Sequence, residues 1–139
     1  MDGLARFHEA QDIAYETALA ELEDGHKQSH WMWYIFPQLR SLGRSATAKH
    51  FGLENLAEAQ AYAADPKLGT RLEACARAML SHEHGDAEAV LGPVDAVKLR
   101  SSATLFRAAA DPELAALMQD ILDRFYDGEP CPRTQAEIG

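Results

Sequence analysis

The chain has 139 residues, of which 47% are apolar and 25% are charged, and these values are ordinary for one globular domain. No apolar run approaches the roughly 20 residues that a membrane span requires, and the N-terminus lacks the basic and apolar regions of a secretory signal, so we expect a cytoplasmic protein without a membrane partner. The formal net charge of −9 disfavours nucleic acid as a partner, because binding to phosphates depends on many lysines and arginines.

Apolar residues recur at helical spacing along almost the whole chain, which predicts an all-α protein. The first predicted helix ends at Gly25, where the absent Cβ permits a left-handed cap. Residues 29–39 come next, and they contain Pro37, which disfavours helix at Phe36 and has no N–H of its own. We therefore predict an irregular, aromatic-rich connection after the first helix.

The remaining helices are predicted from their capping residues. Ser45 precedes a short helix that ends near Gly52, and Asn55 with Glu58 predicts a helix through Ala64. Further helices are predicted to begin at Asp65 and Pro66, at Asp86, at Asp95, and at Asp111 and Pro112 before an end at Gly128. The sequence thus predicts a compact bundle of about six helices in a single domain, residues 1–129, with a loose C-terminal tail, residues 130–139.

The cysteines and histidines do not predict a metal site or a disulfide framework. Cys75 lies on an apolar helical stripe, and Cys131 lies between two prolines in the tail. The histidines of the HEH motif, His82 and His84, are not one helical turn apart, as the His-Glu-x-x-His arrangement requires. The sequence also lacks the G-x-S-x-G elbow that would support a serine hydrolase.

Acidic residues are absent from two runs, residues 25–52 and residues 96–110. The lysines and arginines of these runs are Lys27, Arg40, Arg44, Lys49, Lys98, Arg100 and Arg107. If the fold brings the two runs together, they form a local positive site in an acidic protein.

The motif LGRSAT, residues 42–47, places Arg44 and Ser45 just before a predicted helix. The first N–H groups of a helix have no partners within it and attract anions, and Arg40 would add positive charge. The structural alternative is that Ser45 only caps the helix and that the arginines lie on a solvated face.

The motif KLRSSATLF, residues 98–106, lies in the second acid-free run. On a helix, Lys98, Ser101 and Ser102 share a stripe next to the one that carries Arg100. Adjacent serines are not favoured by helix propensity, so they are candidates for hydrogen bonds to a ligand. Close helix packing, or bonds to the preceding helical turn, explains them equally well.

The motif SHWMWYIF, residues 29–36, contains two tryptophans that could stack on a flat ligand, while Gln38 could bond the edge of that ligand. Core packing is the more common use of such a cluster, so both interpretations of Trp31 and Trp33 stay open. His30 is the candidate for acid–base catalysis because histidine readily exchanges protons near neutral pH, although such a residue is more often structural.

Two motifs carry a resemblance to a known family: KQSHWMWYIFPQLRSLGRSATA, residues 27–48, and KLRSSATLF, residues 98–106. Further agreement runs through FHEAQDIAYETALAELEDG and EAQAYAADPKLGTRL, so it covers nearly the whole chain. In these motifs the chain resembles an uncharacterised bacterial family, domain of unknown function 1810. The resemblance implies a compact all-helical domain and brings no established activity. Some relatives carry the label calpastatin, which does not suit a helical core pattern because inhibitors of that name are disordered.

The leading hypothesis is a positively biased pocket, formed by residues 27–45 and 98–107, that binds a small phosphorylated or nucleotide-like anion with or without catalysis. The candidate ligand-binding residues are Lys27, Trp31, Trp33, Gln38, Arg40, Arg44, Ser45, Lys98, Arg100, Ser101 and Ser102, and the candidate catalytic residue is His30. The alternative is an interaction protein that binds another protein or itself through the aromatic segment. The sequence identifies no cofactor and no metal, and it does not decide whether the protein is an enzyme.

Overall fold

The structure, a computed structural model, describes residues 3–139. In chain order its helices are α1 (Ala5–Asp24), α2 (Met32–Ile35), a 3-10 helix (Arg40–Leu42), α3 (Ala46–Phe51), α4 (Leu56–Ala64), α5 (Pro66–Leu80), α6 (Ala87–Leu91), α7 (Pro93–Ala109), α8 (Pro112–Tyr126) and α9 (Pro132–Ile138). The predicted all-α fold is confirmed. Helices α2 and α9, of four and seven residues, were not predicted. Helices this short show no recognisable periodicity of apolar residues. Over the described residues, no helix combines the length and the apolar character that crossing a membrane requires.

The predicted capping residues begin and end the helices. Oγ of Ser45 accepts a hydrogen bond from the backbone N–H of Ala48 at 3.1 Å and so begins α3. Oδ1 of Asn55 accepts from the N–H of Glu58 at 2.9 Å at the start of α4. Gly25 ends α1 with a φ of 79°, a left-handed conformation that glycine adopts without steric cost. Helix boundaries therefore follow from local sequence.

Helix α7 is the central element of the fold, because it packs against α4, α6, α8 and α9. Its residues 101–106 are all buried, and α1, α5 and α8 complete the core around them. One edge of α7 is uncovered near its N-terminus, where Val94 and Val97 are 68% and 64% exposed. That edge is the apolar side of the site described below.

Glu21 of α1 holds the aromatic connection, residues 26–37, against the core. Its carboxylate accepts hydrogen bonds from the backbone N–H groups of Gln28 and Ser29 at 2.8 and 2.9 Å, from Ser29 Oγ at 2.6 Å, and from Trp31 Nε1 at 2.9 Å. Burial by itself raises the pKa of Glu21, but these hydrogen bonds outweigh it and lower the pKa to about 2. Trp31 and Met32 are each 1% exposed, so the connection belongs to the core.

Residues 130–139 were predicted as a loose tail, but Pro132–Ile138 within them form α9. Pro132 occupies the first helical position, where its fixed φ favours a helix start. The backbone N–H of Cys131 donates to Oγ1 of Thr104 on α7 at 2.8 Å, and Thr134 is fully buried. The C-terminal segment is therefore packed onto α7, and it contributes to the site.

Candidate functional site

A groove of about 580 Å³ lies where the segment before α3, the exposed edge of α7 and the start of α9 meet. Its lining residues are Gln38, Leu42, Gly43, Arg44, Ser45, Ala48, Pro93, Val94, Val97, Lys98, Ser101, Cys131 and Arg133. A volume of this size suits a small-molecule ligand, since such sites usually measure about 300 to 1,000 Å³.

A close backbone contact positions the first wall of the groove. The N–H of Leu53 donates to the carbonyl of Gln38 at 2.9 Å, and the N–H of Arg40 donates to the carbonyl of Leu53 at 2.8 Å. Gly52 permits this approach, because a Cβ there would lie 2.3 Å from Cα of Arg40. The chain then passes through the 3-10 helix and presents Arg44 to the groove just before α3.

The walls of the groove are largely apolar. The apolar lining residues are Leu42, Ala48, Pro93, Val94 and Val97. Val94 and Val97 expose most of their side chains to water. Covering apolar surface of this kind releases about 25 cal/mol per Å², so a ligand with an apolar part would gain affinity by contacting the two valines.

Three cationic side chains line the same groove, namely those of Arg44, Lys98 and Arg133. The two guanidinium groups make no ion pair with any residue in the described part of the chain, and both arginines are exposed. Nζ of Lys98 lies 3.5 Å from Oδ1 of Asp95 and 5.2 Å from the ring centroid of Trp33, so a neighbouring carboxylate balances part of its charge. The unpaired arginines suit a carboxylate or phosphate, which guanidinium binds with two parallel hydrogen bonds.

A thiol lies at the α9 side of the groove. Sγ of Cys131 is 3.4 Å from Oγ of Ser101, whose hydroxyl also lies 3.3 Å from the carbonyl of Val97. Burial by itself raises the pKa of Cys131, but the hydroxyl of Ser101 and the polar groups of Thr134 and Arg133 at the start of α9 outweigh it and lower the pKa below the usual range. Since the thiolate is the nucleophilic form of cysteine, this environment favours reactivity.

Of the predicted ligand-binding residues, the structure brings together Gln38, Arg44, Ser45, Lys98 and Ser101. The side-chain amide of Gln38 has no hydrogen-bond partner among residues 3–139, so it is free to bond a ligand. The hydroxyl of Ser45 is engaged in capping α3. Both acid-free runs therefore reach the groove, each with only some of its polar residues.

Three predicted residues of the aromatic segment and its approach lie outside the groove. Nζ of Lys27 pairs with Oδ2 of Asp95 at 2.9 Å and lies 4.9 Å from the ring centroid of Trp31. Trp31 is a core residue bonded to Glu21. Trp33 is half-buried behind Lys98 and does not line the groove. Core packing is therefore the role in which the structure places Trp31.

The other predicted residues outside the groove are Arg40, Arg100, Ser102 and His30. Arg40 is exposed, and Ser102 is fully buried within α7. Nε of Arg100 donates to the carbonyl of Glu129 at 3.0 Å, which helps to fix the segment before α9. The side chain of His30 is exposed and has no hydrogen-bond partner within residues 3–139, and the backbone carbonyl of His30 accepts a hydrogen bond from the hydroxyl of Tyr34.

Sequence reasoning missed Cys131 and Arg133, because both were assigned to a loose tail. Pro132 was the available signal, since proline is favoured at the first position of a helix. It also missed Val94 and Val97, whose three-residue spacing places them on one face of α7. No local pattern distinguishes that exposed face from a face covered by another helix.

The comparisons with known proteins match nearly the whole chain, including the residues that line the groove. The model of the family DUF1810, described as a protein of unknown function, matches residues 1–138. The chain is also similar to a conserved hypothetical protein, Rv1873 from Mycobacterium tuberculosis, whose crystal structure has 39% sequence identity to it and a TM-score of 0.93. This match covers 97% of the present chain and 95% of the other. No curated protein matches the chain.

Proposed function

The chain belongs to the DUF1810 family, and we propose that its groove binds a small phosphorylated or nucleotide-like anion that also carries an apolar or flat group. One observation carries the proposal: the guanidinium groups of Arg44 and Arg133, which make no ion pair within residues 3–139, line the same groove as the exposed side chains of Val94 and Val97. The anionic group would bond the arginines, and the apolar group would cover the valines. We place this activity in the cytoplasm.

The charge of the whole protein makes the local cations necessary. A net charge of −9 repels an anion at long range, so an anionic ligand needs a site where positive charge dominates nearby. Arg44, Lys98 and Arg133 supply that charge. Because exposed charges are screened within about 8 Å at physiological ionic strength, binding should weaken as salt is added.

Asp95 keeps Lys98 at the groove. Oδ2 of Asp95 lies 2.9 Å from Nζ of Lys27, and Oδ1 of Asp95 lies 3.5 Å from Nζ of Lys98. The shorter pair lies on the core side, where the side chain of Lys27 is 8% exposed. Lys98 is thus the less tightly held of the two, and its ammonium group can turn toward an anion in the groove.

The alternative function, self-association through the aromatic segment, lacks an exposed aromatic patch at its centre. Trp31 and Met32 are almost fully buried, and their side chains are core components. Self-association stays a prediction, and size-exclusion chromatography over a range of protein concentrations tests it. A dimer that forms with increasing concentration and buries the tryptophan of this segment that is still half-exposed, Trp33, would favour this alternative over the open groove.

A thermal-shift screen tests the proposed function, with nucleotides, sugar phosphates and inorganic oxyanions as probes. A ligand at about 100 times its Kd adds roughly 2.7 kcal/mol of stability, which raises Tm by several degrees. We expect a shift in the wild type and its loss in Arg44→Ala and Arg133→Ala.

Arg40→Ala is the matched control, because Arg40 is also exposed and unpaired within residues 3–139 but lies outside the groove. It should keep the full shift. An equal loss in Arg40→Ala would mean that net charge, and not the groove, governs binding, and the proposal would fail. The absence of any shift across the panel would count against it as well.

A further inference from the structure

The apolar side chains of the groove are all aliphatic. Val94 and Val97 are exposed, and residues 3–139 contain one other large apolar side chain that is exposed, that of Ile13 on α1. Pro93 and Leu42 are further aliphatic lining residues. Among the described residues, no phenylalanine, tyrosine, tryptophan or histidine lines the groove. A flat ligand would therefore find no ring in the groove on which to stack.

Aromatic side chains line a separate, smaller cavity that adjoins the groove. Trp33, Phe36 and Phe51 line this cavity, and it shares Gln38 and Lys98 with the groove. Its volume is about 10 Å³, which is about the space that one water molecule needs. A nucleobase is too large to enter this cavity, so its rings do not supply a stacking surface.

The polar groups of the groove suit a ligand whose apolar part has no hydrogen-bonding atoms. Oγ of Ser45 accepts from the N–H of Ala48, and the hydroxyl of Ser101 lies 3.3 Å from the carbonyl of Val97. The amide of Gln38 has no partner within residues 3–139. A nucleobase carries several donors and acceptors on its edge, and each one that lies against valine without a partner costs free energy. An aliphatic chain has no such cost.

We propose that the groove binds a phosphate monoester of a short aliphatic alcohol, with the phosphate on Arg44 and Arg133 and the chain along Val94 and Val97. This inference rests on the proposed function, and it specifies the apolar group of the ligand as a chain. A phosphate monoester carries close to two negative charges at neutral pH, which matches two guanidinium groups without an ion pair in the described part of the chain. No aspartate or glutamate of residues 3–139 lines the groove to repel it.

Isothermal titration calorimetry with three monoesters tests the inference: methyl phosphate, hexyl phosphate and adenosine monophosphate. The three probes share the phosphate and differ in the group attached to it. Each half-covered methylene strengthens binding about twofold, so the five additional methylenes of hexyl phosphate should lower Kd about 30-fold relative to methyl phosphate. Adenosine monophosphate should bind within about threefold of methyl phosphate, because its base gains no stacking partner.

Two variants of the valine wall and one control locate the chain. Val94→Ser and Val97→Ser should each reduce the advantage of hexyl over methyl phosphate by about threefold and leave the Kd of methyl phosphate unchanged. Ile13→Ser is the matched control, since Ile13 is 89% exposed but does not line the groove. It should preserve the full advantage. If Ile13→Ser reduces the advantage as much as the valine variants do, the chain does not lie on this wall and the inference fails.

The remaining outcomes separate this inference from the proposed function. If adenosine monophosphate binds as tightly as hexyl phosphate or more tightly, the ligand has a flat group, and the inference is overturned while the proposed function stands. If methyl and hexyl phosphate bind equally and Arg44→Ala abolishes both, the groove holds the anion but not a chain, which also overturns the inference. If none of the three monoesters binds, the proposed function fails together with it.

Discussion

The aromatic connection and the groove wall, residues 38–48, come from the same acid-free run, but their charged and aromatic side chains have opposite environments. In the connection, Lys27 pairs with Asp95, and Trp31 bonds Glu21. In the groove wall, Arg44 is exposed and has no ion-pair partner within residues 3–139. Similar composition therefore leads to a segment held in the core in one region and an exposed cationic surface in the other.

The difference is explained by acidic residues that lie outside the run. Glu21 comes from α1 and Asp95 from α7, and each supplies the negative charge that the connection itself lacks. Among residues 3–139, no acidic side chain reaches Arg44 in the same way. A cation that the fold leaves unpaired beside apolar surface is a better indicator of a ligand site than a cation-rich sequence.

Trp31→Ala should have the largest effect on stability, because it removes a nearly fully buried indole and leaves a cavity in the core. We expect the free energy of unfolding to fall by about 3 to 5 kcal/mol, as measured by urea denaturation. Trp33→Ala is the matched control, since Trp33 is only half-buried and should cost clearly less. Equal losses would show that the two indoles do not differ in the way the structure indicates.

Local signals predicted most of the fold. Ser45, Asn55 and Gly25 act through neighbours within four residues, so their capping roles can be recognised from sequence. The hydrogen bonds that Ser29 and Trp31 donate to Glu21 join a residue inside α1 to residues beyond its end, and no periodic pattern in the sequence encodes them. The aromatic connection was accordingly predicted as irregular, without the partner that orders it.

Only one side of the candidate site was predicted from the sequence. Arg44 and Lys98 were recognised because each lies in an acid-free run, and the fold does bring those runs to one groove. Arg133 and Cys131 reach it because α9 packs on α7 through a bond from Cys131 to Thr104. That contact joins residues 27 positions apart, so the other side of the groove depends on tertiary structure.

Glu21→Ala should have the next largest effect. It removes the acceptor of four hydrogen-bond donors: the backbone N–H of Gln28, the backbone N–H and the hydroxyl of Ser29, and Nε1 of Trp31. We expect the free energy of unfolding to fall by about 3 kcal/mol, as measured by urea denaturation. The control is Glu16→Ala on the same helix, because Glu16 is exposed and should change stability by less than about 0.5 kcal/mol. If the two variants unfold alike, Glu21 does not hold the connection.

The pH dependence of stability should report the same contact with a smaller effect. The pKa of Glu21 is about 2 in the folded protein against an ordinary value of 4.5. Because the folded value is depressed, the stabilisation is fully present above pH 4.5 and is lost as the pH falls toward 2. Wild type should therefore lose more stability over this interval than Glu21→Gln, as measured by urea midpoints at each pH. Parallel profiles for the two proteins would contradict the assignment.

Arg44→Ala should have the smallest effect on stability, within about 0.5 kcal/mol, because it removes an exposed side chain without an ion pair. The same variant should lose the stabilisation that an anionic ligand gives to the wild type, so it separates binding from folding. Glu21→Ala should do the reverse and keep ligand-induced stabilisation wherever it still folds, because Glu21 does not line the groove. If Arg44→Ala without ligand destabilises the protein as much as Glu21→Ala does, then Arg44 has a structural partner in solution. In that case the groove wall, like the connection, would contribute mainly to the stability of the fold.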